Sequence, residues 1–237
     1  MMEYPEAVIF DYNGTMVNDE IYHNESWSLF MKRHLGRDLT ENEFDRYIHG
    51  IHADVTIRRF LGEGLSDQEV KRLVEEKEET YREICVSHAD IYRLRDGLPA
   101  FLDQLQAAGV KLGIATSSPI ENVEFYFRQI NLARWFTLGQ VTYNDHSFPG
   151  KPAPDIFLRA AEKLHADIHR SVVFEDAKSG VQAAVAAGAA KVIAVAGTAD
   201  PEALRALGAA RVIESYRELV GNLMGSDPDQ RRKNHAI

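Results

Sequence analysis

The sequence predicts an α/β protein: a parallel sheet flanked by helices and interrupted after its first strand by an all-helical block. Three observations carry this. An unbroken apolar run, AVIF, stands near the start. From Asp96 onward, strand-like apolar runs alternate with helical patterns. Between these regions, from about residue 19 to 95, there is only helical spacing and dense charge. Alternating strands and helices imply parallel pairing with helices on both faces of the sheet.

The elements follow in order. Glu6 to Phe10 reads as a short buried strand, since no polar residue interrupts it. Asp19 to His34 carries Ile21, Tyr22, Trp27, Phe30 and Met31 at helical spacings. Thr40 with Glu43, and Ser66 with Glu69, are capping-box pairs, and the second opens a long charged helix to about Cys85. Between them His49 to Arg59, HGIHADVTIRR, is expected to be a loop. Leu98 to Ala108 is helical and is closed by Gly109. Val110 to Thr116 is a strand, and Pro119 to Gln129 is a helix with an early proline. Pro152 to Leu164 is a helix, Ser171 to Glu175 a strand, and Ser179 to Ala187 a helix of small residues. KVIAVAG is a strand, Asp200 to Leu207 a helix, and Arg211 to Glu214 a last strand with a helix to about Met224. Residues 225–237 are polar and aperiodic, and disorder is expected there.

Composition narrows the function classes. The 237 residues are 45% hydrophobic and 27% charged, ordinary for a globular protein. A net charge of −9 argues against a nucleic-acid partner, because phosphate backbones select basic faces. It leaves room for a small phosphorylated substrate neutralised locally. The single cysteine, Cys85, excludes an intramolecular disulfide and a cysteine-based metal cluster. With no charged-then-apolar leader and no run of about 18 apolar residues, a cytoplasmic protein without a membrane partner is expected.

In open α/β sheets, ligands sit at the carboxyl ends of the strands. Asp11 and Asn13 follow the first strand, Thr116, Ser117 and Ser118 the second, and Glu175 and Asp176 a later one. Lys151 stands in the loop FPGKPAPD. Carboxylates suit Mg²⁺, which prefers hard oxygen ligands. Hydroxyls, backbone N–H groups and an ammonium suit phosphoryl oxygens. A carboxylate can also accept a phosphoryl group as an aspartyl-phosphate.

These segments resemble the four signature motifs of the haloacid dehalogenase superfamily: FDYNGT, ATSS, GKPAPDIF and VVFEDAKSGVQAA. The helical insertion resembles the cap of the branch that contains β-phosphoglucomutase and phosphoglycolate phosphatase. The resemblance implies a Rossmann-like core of residues 1–17 and 97–224 with an inserted all-helical cap domain, 18–96. It implies Asp11 as nucleophile, and Asp11, the Asn13 main-chain carbonyl and Asp176 as Mg²⁺ ligands. It also implies Thr116, Ser117 and Lys151 around the phosphoryl group, with Glu175 in support. His23 aligns with a cap-linker histidine of phosphomutase-like relatives. The mutase also has a distal-phosphate arginine in the cap loop; Ala53 stands there, with Arg58 and Arg59 further on. Trp27 and Tyr22 read as cap core.

Asn13 departs from the pattern. Phosphatases of this family mostly carry an aspartate there, which protonates the leaving group and then activates water. An amide has no titratable proton for either step, and general acid/base catalysis contributes roughly 10²- to 10⁴-fold. Asn18 also stands where relatives often carry aspartate. Three accounts follow: a slow or specialised phosphatase, an Asp→Asn change made to trap a complex, or a phospholigand-binding protein without turnover. The intact surrounding motif favours the first. The acidic pair 175–176 argues against carbon–halogen cleavage, and the absence of a cap-loop lysine argues against a phosphonatase.

Overall fold

The structure is a computed structural model that describes residues 4–48, 51–90 and 92–221. Its sheet is built from β1 (Ala7–Phe10), β2 (Lys111–Ala115), β3 (Val141–Thr142), β4 (Ser171–Glu175), β5 (Lys191–Val195) and β6 (Arg211–Ile213). The order is β3-β2-β1-β4-β5-β6, and every pairing is parallel. β1 is central, with Phe10 in register with Ile114 on one side and Phe174 on the other.

Successive side chains of a strand point to opposite faces, and AVIF supplies both. Val8 and Phe10 join one core with Phe101, Phe174 and Tyr216. Ala7 and Ile9 join the other with Phe157, Val173 and Val181. A strand buried on both faces tolerates no polar interruption, which is why this run is uniformly apolar. The covering helices are α5 (Leu98–Ala107), α6 (Ile120–Ile130), α7 (Asp155–Lys163), α8 (Lys178–Ala186) and α9 (Pro201–Ala206).

Between β1 and α5 lie α1 (Glu20–Leu35), α2 (Glu41–Tyr47), α3 (Ala53–Leu61) and α4 (Asp67–Ser87). They close a third core around Trp27, Phe30, Met31, Ile57 and Leu73. Both capping boxes form, Thr40 with Glu43 and Ser66 with Glu69. Tyr22 belongs instead to the first core, beside Tyr81 and Tyr92. Among the described residues between β1 and α5, the β-type contacts are two isolated bridges, Asn13 with Val17 and Val17 with Leu94. No helix among the described residues is long and apolar enough to cross a membrane.

The structure differs from these expectations in four places. The segment read as a loop contains α3, whose Val55, Thr56 and Ile57 weaken the helical signal because β-branched side chains lose rotamer freedom in a helix. Burial of Thr56 and Ile57 overrides that preference. β3 was not read at all; two residues are too few to show alternation. After β6 the described residues, which end at Gly221, make only a 3₁₀ turn at Tyr216–Glu218, and the rest of the expected helix lies outside them. The helix over Pro152 to Leu164 starts only at Asp155, after two prolines that cannot donate backbone bonds. Residues 225–237 lie outside the described residues.

Candidate active site

A cleft of about 700 Å³ opens where the carboxyl ends of the strands meet the helical block. Its floor comes from the turn after β1, the turn after β4 and the GKPAPD loop. Asp11 follows β1 directly, and its backbone N–H donates to Phe174 O at 2.9 Å, which fixes it beside β4. Gly14 follows with φ 76°. A Cβ at residue 14 would stand 2.0 Å from Asp176 Oδ2, so only glycine lets the two turns approach. The same closeness recurs at Gly180 in α8, where a Cβ would meet Glu175 Oε1 at 1.7 Å.

The structure brings Asp11, Lys151, Glu175 and Asp176 together. Lys151 Nζ donates to Asp11 Oδ1 at 2.6 Å and to Glu175 Oε1 at 2.5 Å. Glu175 Oε2 accepts from the backbone N–H groups of Asp176 and Ala177, 2.8 and 2.9 Å. Asp176 accepts from the hydroxyls of Thr15, at 2.8 Å, and Thr198. Ligand oxygens of Asp11, Glu175 and Asp176 all lie within 4.8 Å of one another.

Three buried carboxylates face one ammonium, and the charge imbalance shows in their proton affinities. Burial pushes the Asp11 carboxyl up to about 7; Lys151 opposes this and the charge of Glu175 adds to it. Asp176 is pushed up by burial and then by Glu175 and Asp11. For Lys151, burial works against the charge, but Asp11 and Glu175 outweigh it and hold the ammonium above the ordinary lysine range. The cluster fits a divalent cation: its donors are hard oxygens, and such an ion would offset the excess negative charge.

The second motif divides. Ser117 and Ser118 line the cleft, whereas Thr116 is buried and not part of its lining; the Thr116 hydroxyl accepts from the Ser118 backbone N–H at 3.2 Å. Asn13 lines the cleft too, but its amide is taken up by protein groups. Nδ2 donates to Asp19 Oδ2 at 2.7 Å and lies 3.1 and 3.3 Å from the hydroxyls of Tyr126 and Tyr81. Oδ1 accepts from Ser118 Oγ at 2.9 Å.

On the helical side, His23 lines the cleft, stacked on Tyr81 with ring centroids 3.9 Å apart. Its Nδ1 is 3.1 Å from Lys77 Nζ. Its Nε2 has no hydrogen-bond partner. Burial, with Lys77 adding, pushes the imidazole well below the usual histidine range and so disfavours its charged form, although the Asp19 carboxylate lies 3.9 Å from Nε2. Lys77 is itself buried, and it pairs with Glu78 at 3.0 Å. His52 stands at the N-cap position of α3 without a side-chain capping bond and rests on the GKPAPD loop, where a Cβ on Gly150 would meet its Nε2 at 2.0 Å. Arg58 does not line the cleft; it donates to Leu65 O at 2.6 Å and to Asp67 at 2.5 Å. Sequence reasoning missed Asp19, Tyr81, Tyr126, Lys77 and His52. Asp19 was legible only as a helix start, and tyrosines on amphipathic helices read as core.

Comparison with known proteins identifies the family. A phosphorylated carbohydrates phosphatase of Thermotoga maritima is 29% identical over 215 residues, covering 88% of this chain and 94% of that protein. A β-phosphoglucomutase of Mycobacterium bovis is 28% identical, covering 92% of each. The crystal structure of a family IA HAD hydrolase from Entamoeba histolytica superposes with a TM-score of 0.82 at 35% identity, covering 90% of this chain and 94% of that one. Residues 5–188 match the haloacid dehalogenase-like hydrolase family, and the chain belongs to that family.

Proposed function

We propose that this chain is a Mg²⁺-dependent phosphohydrolase that acts on a small phosphorylated metabolite, a sugar or organic phosphate. The observation that carries the reading is the buried Lys151 bridging Asp11 and Glu175 at the floor of the cleft. An Asp11 oxygen attacks phosphorus, and the bond to the leaving oxygen breaks with its electron pair staying on that oxygen. Water then opens the aspartyl-phosphate, releasing phosphate and restoring the carboxylate. Lys151, Ser117 and the Thr116 turn hold the phosphoryl oxygens, and Glu175 orients Lys151. Asp11, Asp176 and the main-chain carbonyl of Asn13 would hold Mg²⁺, which supplies positive charge to the phosphoryl oxygens. His23 offers the substrate a neutral imidazole.

The helical block, residues 18–96, serves as a cap over the core formed by 1–17 and 97–224. Contacts of His52 with the Gly150 turn and of Tyr81 with Asn13 support this division. Asn13 supplies no proton, so turnover is slow relative to relatives that carry a carboxylate there. The relative that acts on phosphorylated carbohydrates supports the substrate class. A mutase is less well supported, because the arginine nearest the expected distal-phosphate position, Arg58, is engaged with Asp67. A second reading, phospholigand binding without turnover, is favoured by one observation: the Asn13 amide is already committed to protein partners.

Phosphate release from a panel of sugar and organic phosphates, with and without Mg²⁺, tests the proposal. Turnover that is lost in Asp11→Ala, by about 10⁴-fold or more as for other nucleophile deletions, supports it. An inert parent chain that is nevertheless stabilised by a phosphorylated compound overturns it in favour of the binding protein.

A further inference from the structure

Asp19 occupies the N-cap position of α1, where an aspartate ordinarily accepts from the first free backbone N–H groups of the helix. Here its side chain makes no capping bond. The carboxylate is fully buried and turned back toward the strand end. Oδ1 accepts from the Gly14 backbone N–H at 3.0 Å. Oδ2 accepts from Asn13 Nδ2 at 2.7 Å and from the Tyr81 hydroxyl at 2.5 Å. Two of its three hydrogen bonds thus go to the segment that carries the departure from the family motif.

An amide suits that position for a definite reason. A buried carboxylate requires donors, and Asn13 presents an NH₂ group to it. The other end of the amide is an acceptor, and Ser118 meets it with a hydroxyl at 2.9 Å. An ionised carboxylate at the half-buried residue 13 would instead stand 2.7 Å from the buried Asp19 oxygen with no donor between them. We propose that Asn13 and Asp19 are a matched donor–acceptor pair, in which Asp19 is the positioning residue for Asn13, so that residue 13 can regain a carboxylate only if residue 19 gives one up. The geometry permits that reversal. An asparagine at 19 keeps its oxygen on the Gly14 N–H and turns its NH₂ toward residue 13. The Tyr81 hydroxyl rotates from donor to acceptor, as hydroxyls can. Ser118 still donates to residue 13.

The test uses four full-length chains: the parent, Asn13→Asp, Asp19→Asn and the double variant Asn13→Asp/Asp19→Asn. Melting temperature is measured with Mg²⁺ chelated, so that the pair is read without turnover. Each single variant is expected to melt at least about 3 °C lower, the shift that roughly 1 kcal/mol produces in a chain of this size. The double variant is expected to return to within about 2 °C of the parent. The second readout is kcat for Mg²⁺-dependent release from para-nitrophenyl phosphate and sugar phosphates. This readout alone rests on the phosphatase reading. There the double variant should exceed Asn13→Asp and the parent by about tenfold or more, since it alone has a well-placed carboxylate at 13. An Asn13→Asp chain as stable as the parent overturns the pair. So does a double variant that fails to fold or melts below both singles. Thermal rescue with all four chains inert keeps the pair and removes the phosphatase reading; turnover without thermal rescue does the reverse.

Discussion

The two halves of the cleft treat buried polar groups in opposite ways. On the Lys151 side, three carboxylates share one ammonium, and proton affinities are pushed far from their ordinary values. On the Asn13 side, the side-chain amide meets Asp19, Ser118, Tyr81 and Tyr126, and donors match acceptors. Unbalanced charge is expensive to bury and is held where a ligand completes it. A balanced network orders the structure without asking for a ligand. The first half is therefore the part that a ligand would complete, and the second ties the strand end to the neighbouring helices.

The strongest contrast comes from removing the single cation. Lys151→Met leaves Asp11 and Glu175 buried without their counter-charge. Breaking a buried pair from one side costs about 3–5 kcal/mol, and loss of a phosphoryl-binding charge costs about 10²- to 10³-fold in kcat. Chemical denaturation and a phosphate assay read the two effects. A variant near parental stability would place the carboxylates in water and remove the imbalance on which the contrast rests.

Cation binding should track pH with a definite sign. The folded-state affinity of Asp11 is raised to about 7 from an ordinary value of 3.8. Between those values the folded chain keeps a proton that the unfolded chain has released. The stability contributed by this group is full below about pH 4 and is lost as pH rises through 7. Mg²⁺ bound by these carboxylates would replace the proton, so its stabilising effect should be small at pH 5 and large at pH 8, reaching about 2.7 kcal/mol at a hundred times its Kd. Melting curves with Mg²⁺ and with chelator at the two pH values measure it. Equal shifts would show that cation and proton do not compete for these carboxylates.

Legibility followed the same division. Asp11, Lys151, Glu175 and Asp176 stand at or just after strand ends or in a proline-marked loop, so local pattern places them at the sheet's carboxyl edge. The Asn13 network is assembled from α4 and α6, and Tyr81 is 68 residues away from Asn13 in sequence. Nothing local distinguishes such a tyrosine from one that only fills the core. Asp19 was hidden differently, because an aspartate before a helix already has an ordinary explanation. In α3, the β-branched run disguised a helix that tertiary burial of Ile57 enforces. Thr116 shows the limit of motif reading within the site: the motif places it near the phosphoryl group, yet the cleft wall is made by Ser117 and Ser118.

The smallest effect concerns Arg58, which sequence position suggested as a substrate contact. Its guanidinium is held by Leu65 O, on the turn that leads into α4, and by Asp67, the first residue of α4, and it takes no part in the cleft wall. Asp67 is fully exposed, so the ion pair is screened by water and is worth little. Arg58→Ala should therefore change stability by about 0.5 kcal/mol or less and leave both kcat and KM within about twofold. By comparison, a cap arginine that gripped a distal phosphate would lose a charge-assisted hydrogen bond on truncation, about 1.5–3 kcal/mol, and KM would rise tenfold or more. A KM series on sugar bisphosphates and monophosphates decides between them. A rise confined to the bisphosphates would mean that α3 swings to bring Arg58 over the cleft when such a ligand is bound, and the helical wall would then belong to the reactive half of the site.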